Sequence, residues 1–79
     1  MYHVYIIQSL KFPDRFYTGY SEDVKKRLQS HNYGQDAYTI KYKPWKIKTI
    51  ISFNDRQRTL DFERYLKSPS GRAFAKKRL

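Results

Sequence analysis

Residues 45–53, WKIKTIISF, alternate apolar and polar side chains with a period of two. That pattern fits a strand with one buried face. Trp45, Ile47, Thr49, Ile51 and Phe53 share that face, and Lys46 and Lys48 lie on the other. A strand leaves its own amides and carbonyls unpaired, so the chain must supply partner strands. Two stretches qualify. Residues 2–8, YHVYIIQ, are rich in β-branched and aromatic types, and residues 15–20, RFYTGY, return after Lys11-Phe12-Pro13-Asp14. Pro and Asp punctuate that connection as a turn, so the two stretches read as a hairpin.

Helix signals fill the rest. Ser21 reads as an N-cap, with Glu22 and Asp23 suited to the positive end of the dipole. The helix runs to about Asn32, and Gly34 can end it. Residues 35–44 read as a polar, basic loop closing at Pro44. Asn54 and Gln57 form a capping pair for a helix over about 55–67. Ser68-Pro69 opens a last helix ending in KKRL, with cations at its negative end. The order β-β-α-β-α-α predicts an α/β chain of the α+β type. Its sheet is three-stranded, mixed or antiparallel, and flanked by helices. At 79 residues, a single domain over 1–79 is expected. A chain this short buries only ~60% of its unfolded surface, so its core is small.

Charge narrows the function. Lys and Arg number 17 against 7 Asp and Glu, a net charge of +10. Such a surface attracts polyanions, nucleic acid first. Anionic lipid is a poorer fit because no long basic amphipathic helix stands out. No apolar run approaches the ~20 residues of a membrane span, and no signal-peptide core follows Met1. A membrane partner is therefore not expected, and the expected location is cytoplasmic. The chain has no cysteine, which excludes disulfides and thiolate zinc sites. Tyr, Phe and Trp make up 18% of the residues. Most belong in so small a core, although aromatic faces also stack bases.

Two helical stripes carry residues that a core does not ask for. Val24, Arg27, Leu28 and His31 lie on one face of the first helix. A snorkelling Arg and a hydrogen-bonded His would explain the pair without a site. Thr59, Phe62, Glu63 and Leu66 form a similar stripe on the second helix. Glu63 stands where an apolar residue is expected, and a buried carboxylate needs a partner. That partner is either a cation, such as Arg27 or Arg56, or a hard metal ion such as Mg²⁺. On the strands, Tyr5 shares a face with His3 and Ile7, and Tyr17 with Arg15 and Gly19. Gly19 leaves room for a close approach. Strand tyrosines are usually packing residues, and none of these features identifies an enzyme alone.

Together they resemble the GIY-YIG nuclease superfamily. That family has two strand motifs, a helical Arg, a His or Tyr one turn later, and a downstream helical Glu. Here the motifs read His3-Val4-Tyr5 and Tyr17-Thr18-Gly19, followed by Arg27, His31 and Glu63. The wider stretches Phe16–Ser21, Lys26-Arg27-Leu28, Tyr42-Lys43-Pro44-Trp45 and Glu63–Lys67 are similar to the short standalone bacterial members. The nuclease module of the bacterial excision-repair endonuclease is a more distant relative. Two positions depart from the pattern: His3 replaces the first glycine, and Thr18 replaces the middle isoleucine of the second motif. Neither departure removes a candidate catalytic side chain. Ser68 and Ser70 are candidates for the polar residue that some relatives carry near the domain end.

The resemblance implies a metal-dependent endonuclease acting on DNA, in repair or processing. Glu63 would hold one Mg²⁺ or Mn²⁺, and Arg27 would donate to the scissile phosphate. Tyr17 would orient or deprotonate the attacking water. A phenol gives up its proton reluctantly at neutral pH, so His31 would assist or act as the base itself. Tyr5 would position water or phosphate. Lys41, Lys43, Lys46, Lys48, Lys76, Lys77 and Arg78 are candidate contacts to the phosphate backbone. The chain has no evident recognition helix, so binding would be guided by DNA structure or by a protein partner. The competing readings are a non-catalytic nucleic-acid-binding module and a small basic interaction protein.

Overall fold

The structure is a computed structural model describing residues 1–79. Strands β1 (Tyr2–Ser9), β2 (Phe16–Ser21) and β3 (Trp45–Phe53) form one sheet in the order β2-β1-β3. Both pairs are antiparallel. Helix α1 (Val24–Asn32) follows the hairpin, and α2 (Arg56–Leu66) and α3 (Pro69–Arg78) follow β3. The fold is α+β in the order read from the sequence.

The central strand faces two cores. Tyr5 and Ile7 pack with Val24 and Trp45, joined by Tyr17, Leu28, Tyr42 and Ile47. Val4 and Ile6, pointing the opposite way, pack with Leu66, Phe53, Phe62, Ala75 and Leu79. The helices therefore sandwich the sheet, α1 on one side and the α2–α3 pair on the other.

β3 corrects the single face expected for residues 45–53. The ladder pairs Ile6 with Thr49 but Ile7 with Ile47, leaving Lys48 as an extra residue in a bulge. Alternation resumes one step out of phase. Trp45 and Ile47 face α1, whereas Thr49, Ile51 and Phe53 face α2 and α3. Every odd position is still sheltered, but by different layers.

The first two expected caps move toward the helix, while the third holds. Asp23, not Ser21, caps α1: its carboxylate accepts from the Lys26 amide at 3.1 Å. Ser21 Oγ instead accepts from the Asp23 amide at 2.9 Å, fixing the entry turn. Asp55, not Asn54, caps α2 by accepting from the Gln57 and Arg58 amides. A carboxylate placed there also meets the positive end of the helix dipole. Ser68 caps α3 with Pro69 in the first turn, as expected, and its hydroxyl donates to the Tyr65 carbonyl oxygen. The α2–α3 corner is tight. A Cβ on Gly71 would stand 2.5 Å from the Tyr65 carbonyl carbon.

The segment expected as loop contains a 3-10 helix, Thr39–Tyr42. Asp36 starts it, its carboxylate accepting from the Tyr38 and Thr39 amides at 2.9 and 3.1 Å. Asn32 then ties the end of α1 to the start of β3. Its side chain accepts from the Trp45 amide at 2.6 Å and donates to the Trp45 carbonyl oxygen at 3.2 Å. The Trp45 indole donates to the Thr39 carbonyl oxygen at 2.8 Å. These bonds fix the 3-10 helix beside α1.

Candidate active site

Tyr5 reaches from β1 toward α1, and Gly19 makes the reach possible. The two residues are paired across the hairpin, so their side chains share a face. The phenol lies across Gly19, where a Cβ would stand 2.5 Å from Tyr5 Cζ. Only a residue without a side chain leaves that path open.

At the far end, the Tyr5 hydroxyl meets His31 Nε2 at 2.9 Å. His31 Nδ1 meets Thr39 Oγ1 at 3.0 Å, and Thr39 Oγ1 donates to the Asp36 carbonyl oxygen at 3.4 Å. This chain assigns the imidazole tautomer. Thr39 has one hydroxyl proton and gives it to Asp36, so Nδ1–H donates to Thr39 and Nε2 accepts from Tyr5. His31 is fully buried. Burial, followed by the nearby Arg27 cation, lowers its pKa against the opposing pull of Asp36. The ring is thereby held neutral, with both nitrogens engaged.

The Tyr5 hydroxyl has a second neighbour. The Arg27 guanidinium lies near it and favours its ionised form. Burial still pushes the Tyr5 pKa up to about 12, Arg27 working against it and Tyr17 and Glu63 adding to it. Tyr5 is therefore a proton donor to His31 across the physiological range. Burial also works against the Arg27 charge, but Tyr5, Tyr17 and Asp36 outweigh it and hold its pKa above the ordinary value. No carboxylate forms an ion pair with Arg27. The ion pairs of the molecule are Arg58 with Asp55 and Lys67 with Glu63.

Tyr17 completes the cluster. Its half-buried ring packs on His31 at 4.8 Å between centroids and on Tyr38 at 6.1 Å. Tyr5 lies 6.4 Å from it. Glu63 lies on α2, and its charge adds, as the smallest of the influences, to the raised Tyr5 pKa. The cation it pairs with is Lys67, one turn along α2 at 3.0 Å, rather than Arg27 or Arg56.

A family model of the GIY-YIG catalytic domain matches residues 1–78. The chain belongs to the GIY-YIG family. A UPF0213 protein of Halobacterium salinarum is 34% identical over 71 residues, covering 89% of this chain and 90% of its own. A UPF0213 protein of Streptococcus agalactiae is 40% identical over 58 residues, covering 72% of this chain and 66% of its own. The structure-specific endonuclease subunit SLX1 of Meyerozyma guilliermondii is 38% identical over 74 residues. That match takes in 86% of this chain but only 25% of the SLX1 subunit. The chain thus spans less than two thirds of the streptococcal protein and a quarter of the SLX1 subunit.

In this GIY-YIG domain, Tyr5, Tyr17, Arg27 and His31 come together on the α1 side of the sheet, with Glu63 approaching from α2. Nowhere do three His, Cys, Asp or Glu side chains gather into a preformed metal cage. Glu63 is the one carboxylate acting on this cluster from α2, and only its Oε2 is hydrogen-bonded. A lone hard oxygen with a free neighbour fits a cation that keeps most of its waters, as Mg²⁺ does.

The basic candidates divide between the faces. Lys41 lies within the 3-10 helix that supports His31, and Lys43 follows it. Lys46 pairs with Gln8, on the opposite face of the sheet, and Lys48 lies over the Phe16 ring at 5.5 Å on that same reverse side. Lys76, Lys77 and Arg78 end α3, whose neighbour Leu79 accepts from Thr49 on the reverse side too. Ser68 is occupied as the α3 cap, and Ser70 is exposed in its first turn.

Asp36 and Thr39 are site residues that the sequence does not announce. They sit in an aperiodic segment, outside any stripe. The one signal is their spacing, an Asp three residues before a Thr, which suits a side-chain-to-backbone turn.

Proposed function

We propose that this domain is an endonuclease that hydrolyses phosphodiester bonds in DNA, with Glu63 holding Mg²⁺ or Mn²⁺. The carrying observation is Arg27: a half-buried guanidinium beside phenols and an imidazole, with no ion-paired carboxylate. A partly buried cation without an ion-pair partner is a ready receptor for an anion, and its planar fork suits a phosphate. Family membership supplies the reaction class.

The division of labour follows from burial. Tyr5 is buried and its proton is committed to His31, so its work is to hold Arg27 and His31 in place. His31 is enclosed as well and acts as a positioning residue. Tyr17 is the half-exposed phenol of the cluster. It orients the attacking water, whose proton passes to solvent as the new P–O bond forms and the ester P–O bond breaks, the departing oxygen taking up a proton in turn. Arg27 donates to the phosphoryl oxygens as charge builds on them. When bound at Glu63, the divalent cation would polarise the same phosphate and offset its charge.

The SLX1 relative is named a structure-specific endonuclease subunit. That name supports a substrate chosen by nucleic-acid structure and work alongside a partner subunit; a partner that supplies specificity and a role in DNA repair or processing are our further reading of it. A time course of plasmid nicking and branched-DNA cleavage in Mg²⁺ or Mn²⁺ tests the reading. Wild-type protein should cleave, while Arg27→Ala and Glu63→Ala should lose at least ~100-fold, the scale of removing a group that stabilises transition-state charge. Salt-sensitive binding without cleavage, equal in all three proteins, would instead favour a binding module.

A further inference from the structure

The aromatic packing does not stop at Tyr17. Tyr17 meets Tyr38 at 6.1 Å, Tyr38 meets Tyr42 at 5.3 Å, and Tyr42 meets Phe12 edge-on at 5.5 Å. The rings run in sequence from the Arg27 site to the tip of the hairpin. Tyr38 is 41% exposed and Phe12 45%, so both rings are open to a ligand. Cations border the track. Arg15 lies over the Tyr42 ring at 5.1 Å, and Lys11 and Lys43 line an open depression of about 520 Å³ beside Phe12. None of these cations is ion-paired.

The two segments that bear the rings are held together by a buried polar group. Ser9, 1% exposed, accepts from the Phe12 amide at 3.0 Å and donates to the Tyr42 carbonyl oxygen at 2.6 Å. The Leu10 amide adds a bond to the Pro44 carbonyl oxygen at 2.9 Å. The hairpin tip and the 3-10 helix therefore present Phe12 and Tyr42 as one rigid surface.

We infer that Tyr38, Tyr42 and Phe12 form a stacking platform for unpaired nucleotides flanking the scissile phosphate, with Arg15, Lys11 and Lys43 taking their backbone phosphates. The inference rests on the nuclease reading for its orientation and goes beyond it in naming the substrate feature. Aromatic rings reward bases only when the bases are out of a duplex, because paired bases already stack on each other. Interleaved cations add backbone affinity that salt weakens. The platform thus selects junctions where a duplex gives way to a single strand.

Binding should be measured by fluorescence anisotropy, in chelator to prevent cleavage. The labelled probes are a single strand, a blunt duplex of the same sequence, and that duplex with an unpaired arm. Wild-type protein should prefer the single strand and the armed duplex to the blunt one. Phe12→Ala should weaken the two unpaired probes roughly tenfold, the scale of one lost base–ring contact, and leave the blunt duplex unchanged. Phe12→Trp should restore binding. Ser9 bonds the Phe12 amide rather than its ring, so the substitution spares the clamp. Equal affinity for all probes, or indifference to Phe12→Ala, would overturn the inference and leave the surface to a protein partner. Plasmid nicking, assayed separately, tests the nuclease reading by itself. Phe12-dependent binding without nicking sinks that reading but keeps the platform, and nicking without it does the reverse.

Discussion

His31 is enclosed by Tyr5, Thr39, Tyr17 and the Arg27 cation, and its neutral form satisfies both ring nitrogens. Protonation in place would put a charge beside Arg27 and cost Tyr5 its acceptor. The unfolded chain has no such restraint and takes up a proton near pH ~6.5. The unfolded state therefore binds more protons below that value, and stability falls as pH drops from about 6.5. Asp36 has a pKa lowered chiefly by the Thr39 amide, so it adds a loss of the same sign only below its ordinary value of 3.8. Urea melts between pH 7 and 4.5 should show stability declining in the wild type and flat in His31→Gln. Parallel curves would mean that His31 is protonated in the folded protein. The helical period by itself puts Arg27 and His31 on one face and Glu63 on an apolar stripe, so their placement is legible in the sequence. What they do there is not. Tyr5 reads as a packing residue, and it is one, yet its hydroxyl also ties β1 to α1 by bonding His31 beside Arg27. Asp36 and Thr39 act through backbone turns, and no periodicity marks those.

At the scale of elements, local chemistry competes with pattern. Asp23 and Asp55 displace Ser21 and Asn54 as caps because a carboxylate reaches the free amides and meets the dipole. The bulge at Lys48 is hidden from a sequence reading, since sheltering both faces keeps the odd positions apolar or half-buried on either side of it. Ser68-Pro69, by contrast, announces α3 correctly. The corner before it is the least forgiving junction. Gly71 faces the Tyr65 backbone, which cannot rotate away as a side chain would. Gly71→Ala should force α3 off α2 and cost about 1–3 kcal/mol, the usual range for overpacking. Thermal unfolding followed by circular dichroism checks it. An unchanged midpoint would mean that the corner is looser than its contacts imply.

Over the whole molecule, the net charge of +10 is spread on both sides of the sheet. A phosphate backbone bound at Arg27 as proposed would pass Lys41 and Lys43, whereas Lys46, Lys48 and the α3 cations face away. Lys43→Gln should reduce the slope of log affinity against log salt by about 1, the value for one lost phosphate contact. Lys46→Gln should leave the slope and any cleavage rate unchanged. Titrations at several salt concentrations distinguish the two, and equal effects would mean that the backbone wraps both faces.

Tyr5 opposite Gly19 ties the chemistry to the sheet in another sense. Slide the hairpin by one residue and Thr18 or Tyr20 stands under the phenol, blocking its way to His31. A mispaired hairpin would be silent as well as unstable. For the nuclease proposed above, that would be a safeguard: copies that fold wrongly would do no damage.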